Sequence, residues 1–144
     1  MANQAKRVLV VEDNADWREL LTTIIRRVGH EAVAARTGKE GLEQASVTHP
    51  DLILMDLGLP EISGDEATVQ LKANPATKDI PVVIQTAFGA GSAAKRALDA
   101  GAAELMQKPI NITDIQKLLV KYLSTRDTNA TRDRVCSPTA RPQQ

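Results

Sequence analysis

The sequence predicts an α/β fold in which one parallel sheet carries helices on both faces. Short apolar runs bounded by polar breaks alternate along most of the chain with stretches whose apolar residues recur at helical spacing. Strands buried on both faces have that continuous apolar look, and helices then supply the crossovers. The 144 residues are 42% apolar but only 2% aromatic, which suits one domain with an aliphatic core.

Strands are expected at residues 7–11, 31–35, 52–56, 81–86 and 103–107. After the first, Trp17, Leu20, Leu21, Ile24, Ile25 and Val28 recur at helical spacing, and Gly29 supplies a C-terminal stop. After the second, Thr37 with Glu40 forms a capping box ahead of Leu42 and Ala45. After the third, Ser63 with Glu66 repeats the device ahead of Val69 and Leu71. The fourth helix, 92–100, has mostly alanine on its inner face, so its burial contributes little and its position is expected to be soft. The last uses Thr113 and Gln116 as its capping box and Ile115, Leu118, Leu119, Tyr122 and Leu123 as its stripe.

These elements bound a domain at 6–124, preceded by a polar extension, 1–5. Residues 125–144 have no periodic apolar face, and disorder is expected there. Four arginines, Arg126, Arg132, Arg134 and Arg141, outnumber Asp127 and Asp133 in this tail; it reads as a solvated extension, with contact to an acidic partner as the second reading. The lone Cys136 excludes an internal disulfide and fits a reducing compartment as an inert tail thiol. Eighteen basic residues balance eighteen acidic ones, so no whole-chain field attracts nucleic acid or anionic lipid. No apolar run approaches the roughly 18 residues of a membrane span, and a cytoplasmic protein is expected.

Right-handed crossovers place every strand's carboxyl end on one edge, where open α/β sheets bind ligands. There the first strand delivers Glu12 and Asp13, the third Asp56 and the fourth Thr86, while Lys108 stands just past the fifth. If the first and third strands are neighbours, Asp13 and Asp56 come within about 5 Å. Such like charges repel unless a cation intervenes. An all-oxygen set suits octahedral magnesium, with manganese as the alternative. A carboxylate can also accept a phosphoryl group, provided cations neutralise its oxygens. Asp56, the metal and Lys108 supply that arrangement, and Thr86 and the amides beside Gly58 and Ala87 can donate hydrogen bonds.

These residues resemble the receiver domains of bacterial two-component response regulators. The likeness rests on Val10-Val11-Glu12-Asp13-Asn14, on the segment 51–64 with Asp56, Pro60 and Gly64, on Pro81-Val82-Val83-Ile84-Gln85-Thr86-Ala87, and on Ala100-Gly101-Ala102 followed by Lys108-Pro109. It covers residues 6–123, and the ordered combination of all four is specific where any one alone is weak. The resemblance implies a flavodoxin-like five-stranded sheet in the order 2-1-3-4-5; the chemotaxis receiver is a standard example of that order. It implies Asp56 as phosphoacceptor, Asp13 as direct magnesium ligand, Glu12 as a mainly water-mediated one, the Gly58 carbonyl as another, and Thr86 and Lys108 as sensors of the phosphoryl group. It further implies a cis Lys108-Pro109 bond and a phosphohistidine donor on a sensor histidine kinase or phosphotransfer protein.

The sequence departs from the family at Leu105, where most receivers carry Tyr or Phe. The usual aromatic switch is therefore missing. Phe88 supplies the moving ring on one reading and merely covers the site on the other; Gly89 and Gly91 make its loop permissive either way. Trp17 reads first as the top of the first helix's packing stripe and second as a fluorescent reporter of metal. His30 and His49 read as solvated, and Leu105 and Met106 as sheet-edge core.

Three function classes fit an acid-rimmed α/β sheet. A phosphorylation-gated signalling module, read by a downstream protein or shuttling phosphate in a phosphorelay, gives Glu12, Asp13, Asp56, Thr86 and Lys108 each a role. A phosphohydrolase of the haloacid-dehalogenase type needs a second Asp where Gly58 stands, and a flavin or nucleotide carrier needs a phosphate loop where Glu12-Asp13-Asn14 would repel phosphate. The expectation is a stand-alone receiver, a signalling protein that catalyses only its own aspartate phosphorylation and autodephosphorylation, as a monomer or a weak dimer through the last two helices.

Overall fold

The computed structural model describes residues 6–86, 91–108 and 110–124. Among these the sheet is five-stranded and parallel, with β1 (Arg7–Val11), β2 (Glu31–Ala35), β3 (Leu52–Asp56), β4 (Val82–Thr86) and β5 (Glu104–Gln107) in the order β2-β1-β3-β4-β5. The crossovers are α1 (Ala15–Val28), α2 (Gly38–Thr48), α3 (Gly64–Ala73) and α4 (Ser92–Ala100), and α5 (Ile112–Leu119) follows β5, prolonged by a π-helical turn, Val120–Ser124. This is the flavodoxin-like doubly wound fold. Strand order reverses at β1, so the crevice between β1 and β3 is the switch point of the sheet.

Side-chain alternation splits the core in two. Leu9, Val11, Ile53, Met55, Val82 and Ile84 pack under α2, α3 and α4, while Val8, Val10, Leu52, Leu54 and Val83 pack under α1 and α5. Each fully buried Leu or Ile stabilises the fold by about 1.5–3 kcal/mol. On α4 the inner face is Ala93, Ala94 and Ala97, so α4 draws far less from burial. It is tied instead by Arg96, whose Nε donates to Asp65 of α3 at 2.8 Å.

Several local expectations need correcting. Strand β4 begins at Val82 rather than 81, because Pro81 has no N–H to give the ladder, and β5 begins at Glu104, although Ala103 N already donates to Val82 O. Thr37 caps α2 by accepting from Glu40 N, but Glu40 returns its carboxylate to Arg36 N, one residue short of the reciprocal box. Ser63 occupies the cap of α3 without accepting a bond there; its hydroxyl donates to Asp65. Helix α5 starts two residues early, capped by Asn111, which accepts from Asp114 N at 2.8 Å. An Asn directly before the helical run outcompetes a threonine already inside it.

The stripes are narrower than the sequence suggests. Leu20 and Val28 of α1 are each 40% exposed at the rim, and Val69 of α3 faces solvent while Thr68 and Leu71 turn inward. Leu105 and Met106 do pack on the sheet-edge core, one on each face. His30 is not simply solvated: its Nδ1 accepts from Lys6 N at 3.0 Å. Among the described residues no helix is long and apolar enough to cross a membrane. Phe88, the Lys108-Pro109 bond, the extension 1–5 and the tail 125–144 with Cys136 lie outside the described residues.

Candidate functional site

The site grows from three strand ends. Glu12 leaves β1 with its amide still bonded to Ala35 O at 3.0 Å, so the strand's direction carries its side chain under the switch point, where it is 1% exposed. Asp13 follows and faces solvent. Asn14 then caps α1 by accepting from Trp17 N, and its own amide donates to Glu12 Oε2 at 3.1 Å. On α1, Arg18 donates to the backbone oxygens of Glu12, at 2.8 Å, and of Asp13, at 3.4 Å. The acid-bearing turn is therefore held from both sides.

Asp56 ends β3, buried on the same face as Glu12, with Gly58 N 3.4 Å from its Oδ1. The turn that follows needs Gly64, since a Cβ there would stand 2.4 Å from Asp56 O and 2.7 Å from the Leu57 Cα. At Gly58, by contrast, a Cβ would meet nothing within 4 Å. One carboxylate oxygen from each of Glu12, Asp13 and Asp56 lies within 4.8 Å of the others. Three convergent oxygens around one opening form a donor set that fits a hard divalent cation.

Lys108, just past β5, reaches back across the sheet edge. Its amide donates to Thr86 O at 2.8 Å, and its ammonium donates to Glu12 Oε1 at 2.8 Å and Asp56 Oδ1 at 3.2 Å. Burial pushes the Glu12 carboxyl above its ordinary range, and the Lys108 bond offsets only part of that. Burial works against the Lys108 ammonium too, but the bond to Glu12 and the charges of Asp56 and Glu12 prevail and hold its pKa above the ordinary lysine value. The ammonium stays charged throughout the neutral range.

The structure thus brings Glu12, Asp13, Asp56 and Lys108 to one edge, with Thr86 buried at the end of β4 beside them. Leu105 is half-buried in the α2–α4 side of the core, where it offers no ring. The sequence reading missed Gln85. It is the Cα partner of Asp56 across β3 and β4 and is 1% exposed. Its Oε1 accepts from Trp17 Nε1 at 2.9 Å. An indole only donates, so the amide oxygen must face it and the amide nitrogen must point away. That Nε2 is the buried side-chain polar atom left without a partner among the described residues. Leaving it so costs about 1–3 kcal/mol. The signal was available: a glutamine inside the apolar run Val82-Val83-Ile84-Gln85.

The family profile described as response regulator receiver domain matches residues 8–120. The chain is 38% identical over 118 residues to the polar-differentiation response regulator DivK of Brucella ovis, a match covering 82% of this chain and 96% of that one. The signal receiver domain of a signal transduction histidine kinase from Syntrophus aciditrophicus superposes with a TM-score of 0.77 at 28% identity, covering 94% of this chain and 99% of that one. So does the receiver domain of a sensor histidine kinase from Pseudomonas aeruginosa, solved with a magnesium ion coordinated in its active-site cleft, at 0.77 and 25% identity over 84% of this chain and 99% of that one.

Proposed function

The chain belongs to the response regulator receiver domain family of two-component signalling, and on that premise we propose that Asp56 is the phosphoacceptor of this protein. The observation that carries the reading is the Lys108 ammonium between two buried carboxylates, with Asp13 completing the cluster. A carboxylate oxygen of Asp56 attacks phosphorus, the P–N bond of a phosphohistidine donor breaks, and the imidazole leaves with its electron pair and takes a proton. In hydrolysis, water attacks phosphorus and the Asp56 P–O bond breaks, returning the carboxylate and inorganic phosphate.

Asp13 and Asp56 would hold magnesium directly, Glu12 mainly through water, and the Gly58 carbonyl would add a third direct protein oxygen; manganese suits the same donors. When bound, the cation supplies charge neutralisation for the phosphoryl oxygens. Lys108, freed from its resting carboxylates, offers its ammonium to the same oxygens, and Thr86 offers its hydroxyl. The donor is a sensor histidine kinase or a phosphotransfer protein, met in the cytoplasm.

The phosphorylated chain signals through protein contacts or passes the group on in a phosphorelay. A surface suited to that output surrounds α4 and α5, where Leu98, Ile112 and Val120 are exposed; weak dimerisation would use the same helices. Incubation with radiolabelled acetyl phosphate or a cognate kinase tests the central assignment. Wild type takes up label with magnesium, and Asp56→Asn takes up none; undiminished labelling of Asp56→Asn refutes it.

A further inference from the structure

Two features near Asp56 have no part in the chemistry above. One is the buried amide of Gln85, which packing alone would replace with leucine, since it leaves two N–H bonds unsatisfied. The other is the Trp17 ring, which lies with the Lys108 ammonium 6.0 Å from its centroid. They are joined. Gln85 fixes the indole through Nε1, and the indole presents its face to Lys108, within the range over which a ring quadrupole attracts a cation.

The placement follows from the sheet. Asp56 pairs with Gln85, and Gln85 pairs with Met106, so the three side chains project from one face in one row. Lys108 lies two residues beyond Met106 and by the same alternation returns to that face. Trp17 comes down onto the row from the first turn of α1, directly after the acid-bearing loop. Its anchor is thus the strand that ends in Thr86, and its face is turned toward the lysine that must let go of Glu12.

We propose that Trp17 and Gln85 are positioning residues of the phosphotransfer site: Gln85 locks the indole, and the indole steers the Lys108 ammonium between its resting carboxylates and the incoming phosphoryl group. The proposal rests on the reading of Asp56 as phosphoacceptor. It gives Gln85 a reason to be polar at a position where Val83 and Ile84 before it are not. It also makes the indole a sensor of where Lys108 stands.

Trp17 is the chain's single tryptophan, so a nitrogen-15 spectrum of the full chain carries one indole cross-peak. Beryllofluoride with magnesium, a phosphoryl mimic, should shift both the Gly58 amide and that indole peak. In Gln85→Leu and Trp17→Phe, acetyl phosphate should label Asp56 about threefold or more slowly, because a misplaced ammonium meets the phosphoryl group less often. Magnesium affinity should stay unchanged, since Glu12, Asp13 and Asp56 are intact. A merely structural pair would alter stability and leave the indole peak deaf to Asp56 loading. Gly58 shifting while the wild-type indole peak stays still overturns the inference alone, without any variant having to fold. Neither peak responding, with no label on wild type, overturns the assignment of Asp56 and this inference with it.

Discussion

The Lys108 ammonium lies 2.8 Å from the Glu12 carboxylate although 96 positions separate them in the chain. The sheet closes that gap by setting β1 and β5 on either side of β3 and β4, so both residues emerge at one edge. The consequence is electrostatic. Glu12 is 1% exposed, and burial already raises its pKa while Lys108 holds it down.

Lys108→Met should therefore leave a buried carboxylate without its counter-charge. We expect a loss of about 1–3 kcal/mol at neutral pH, the penalty of an orphaned buried group. The sign with pH follows from linkage: an acid whose folded pKa is raised above its unfolded value favours the folded state below that unfolded value and loses the advantage as pH rises. The deficit of the variant against wild type should shrink as pH falls toward the carboxylate range. Urea unfolding of both proteins across mildly acidic and neutral pH checks this, and a deficit that grows on acidification contradicts it.

Two glycines that follow Asp56, one in the connection and one opening α3, should behave oppositely. A methyl at Gly64 would enter the space of Asp56 O and the Leu57 Cα, which are backbone and cannot yield, whereas Gly58 has open space. Gly64→Ala should cost about 1–3 kcal/mol and shift the loop carrying Asp56, slowing its labelling. Gly58→Ala should change stability by less than about 0.5 kcal/mol. Denaturant melts decide; equal losses would mean that the β3–α3 turn is held by something other than this close approach.

The sheet was legible because apolar runs and their breaks state strand ends directly: the bounds 7–11, 31–35 and 52–56 agree with the structure. So did the edge on which Glu12, Asp13, Asp56 and Lys108 meet, since parallel crossovers leave those side chains no other place. Caps were less legible. Ser63 and Thr113 sit in capping spacings, yet the α3 cap hydroxyl turns to Asp65 and Asn111 precedes Thr113, choices made by a competing side chain rather than by spacing. The tie between Arg96 and Asp65 spans 31 positions and that between Trp17 and Gln85 spans 68, so no periodicity links their members. What announces Gln85 is polarity inside an apolar strand, which names an anomaly without naming its partner.

Magnesium should stabilise the folded chain, because the oxygens of Glu12, Asp13 and Asp56 lie within 4.8 Å only when β1 and β3 are paired. At a hundred times its dissociation constant, a ligand selective for the folded state adds about 2.7 kcal/mol. Calorimetry should show the melting temperature rising with magnesium and falling back on chelation. Asp13→Asn should lose most of the response while its metal-free stability barely changes, Asp13 being exposed. A response undiminished in that variant would place the cation elsewhere.

Tyr122 offers a direct optical test of the last helix. Its hydroxyl donates to the Glu104 carboxylate, which also accepts from Lys121. Burial first, then that bond and the charge of Glu104, push the tyrosine pKa from 10.0 up to about 12. A raised folded pKa means that the interaction stabilises fully below the unfolded value of about 10 and is lost as pH climbs toward about 12. Tyr122 is the chain's single tyrosine, so the near-ultraviolet absorbance change on phenol ionisation follows it alone. The folded protein should ionise near pH 12, and Glu104→Gln should bring the midpoint down, because the amide keeps a hydrogen bond but no longer repels a phenolate. Tyr122→Phe should unfold more easily than wild type below about pH 10 and converge with it above. A midpoint at the ordinary tyrosine value in the folded protein would show that the turn after α5 is not fastened to β5 through Glu104.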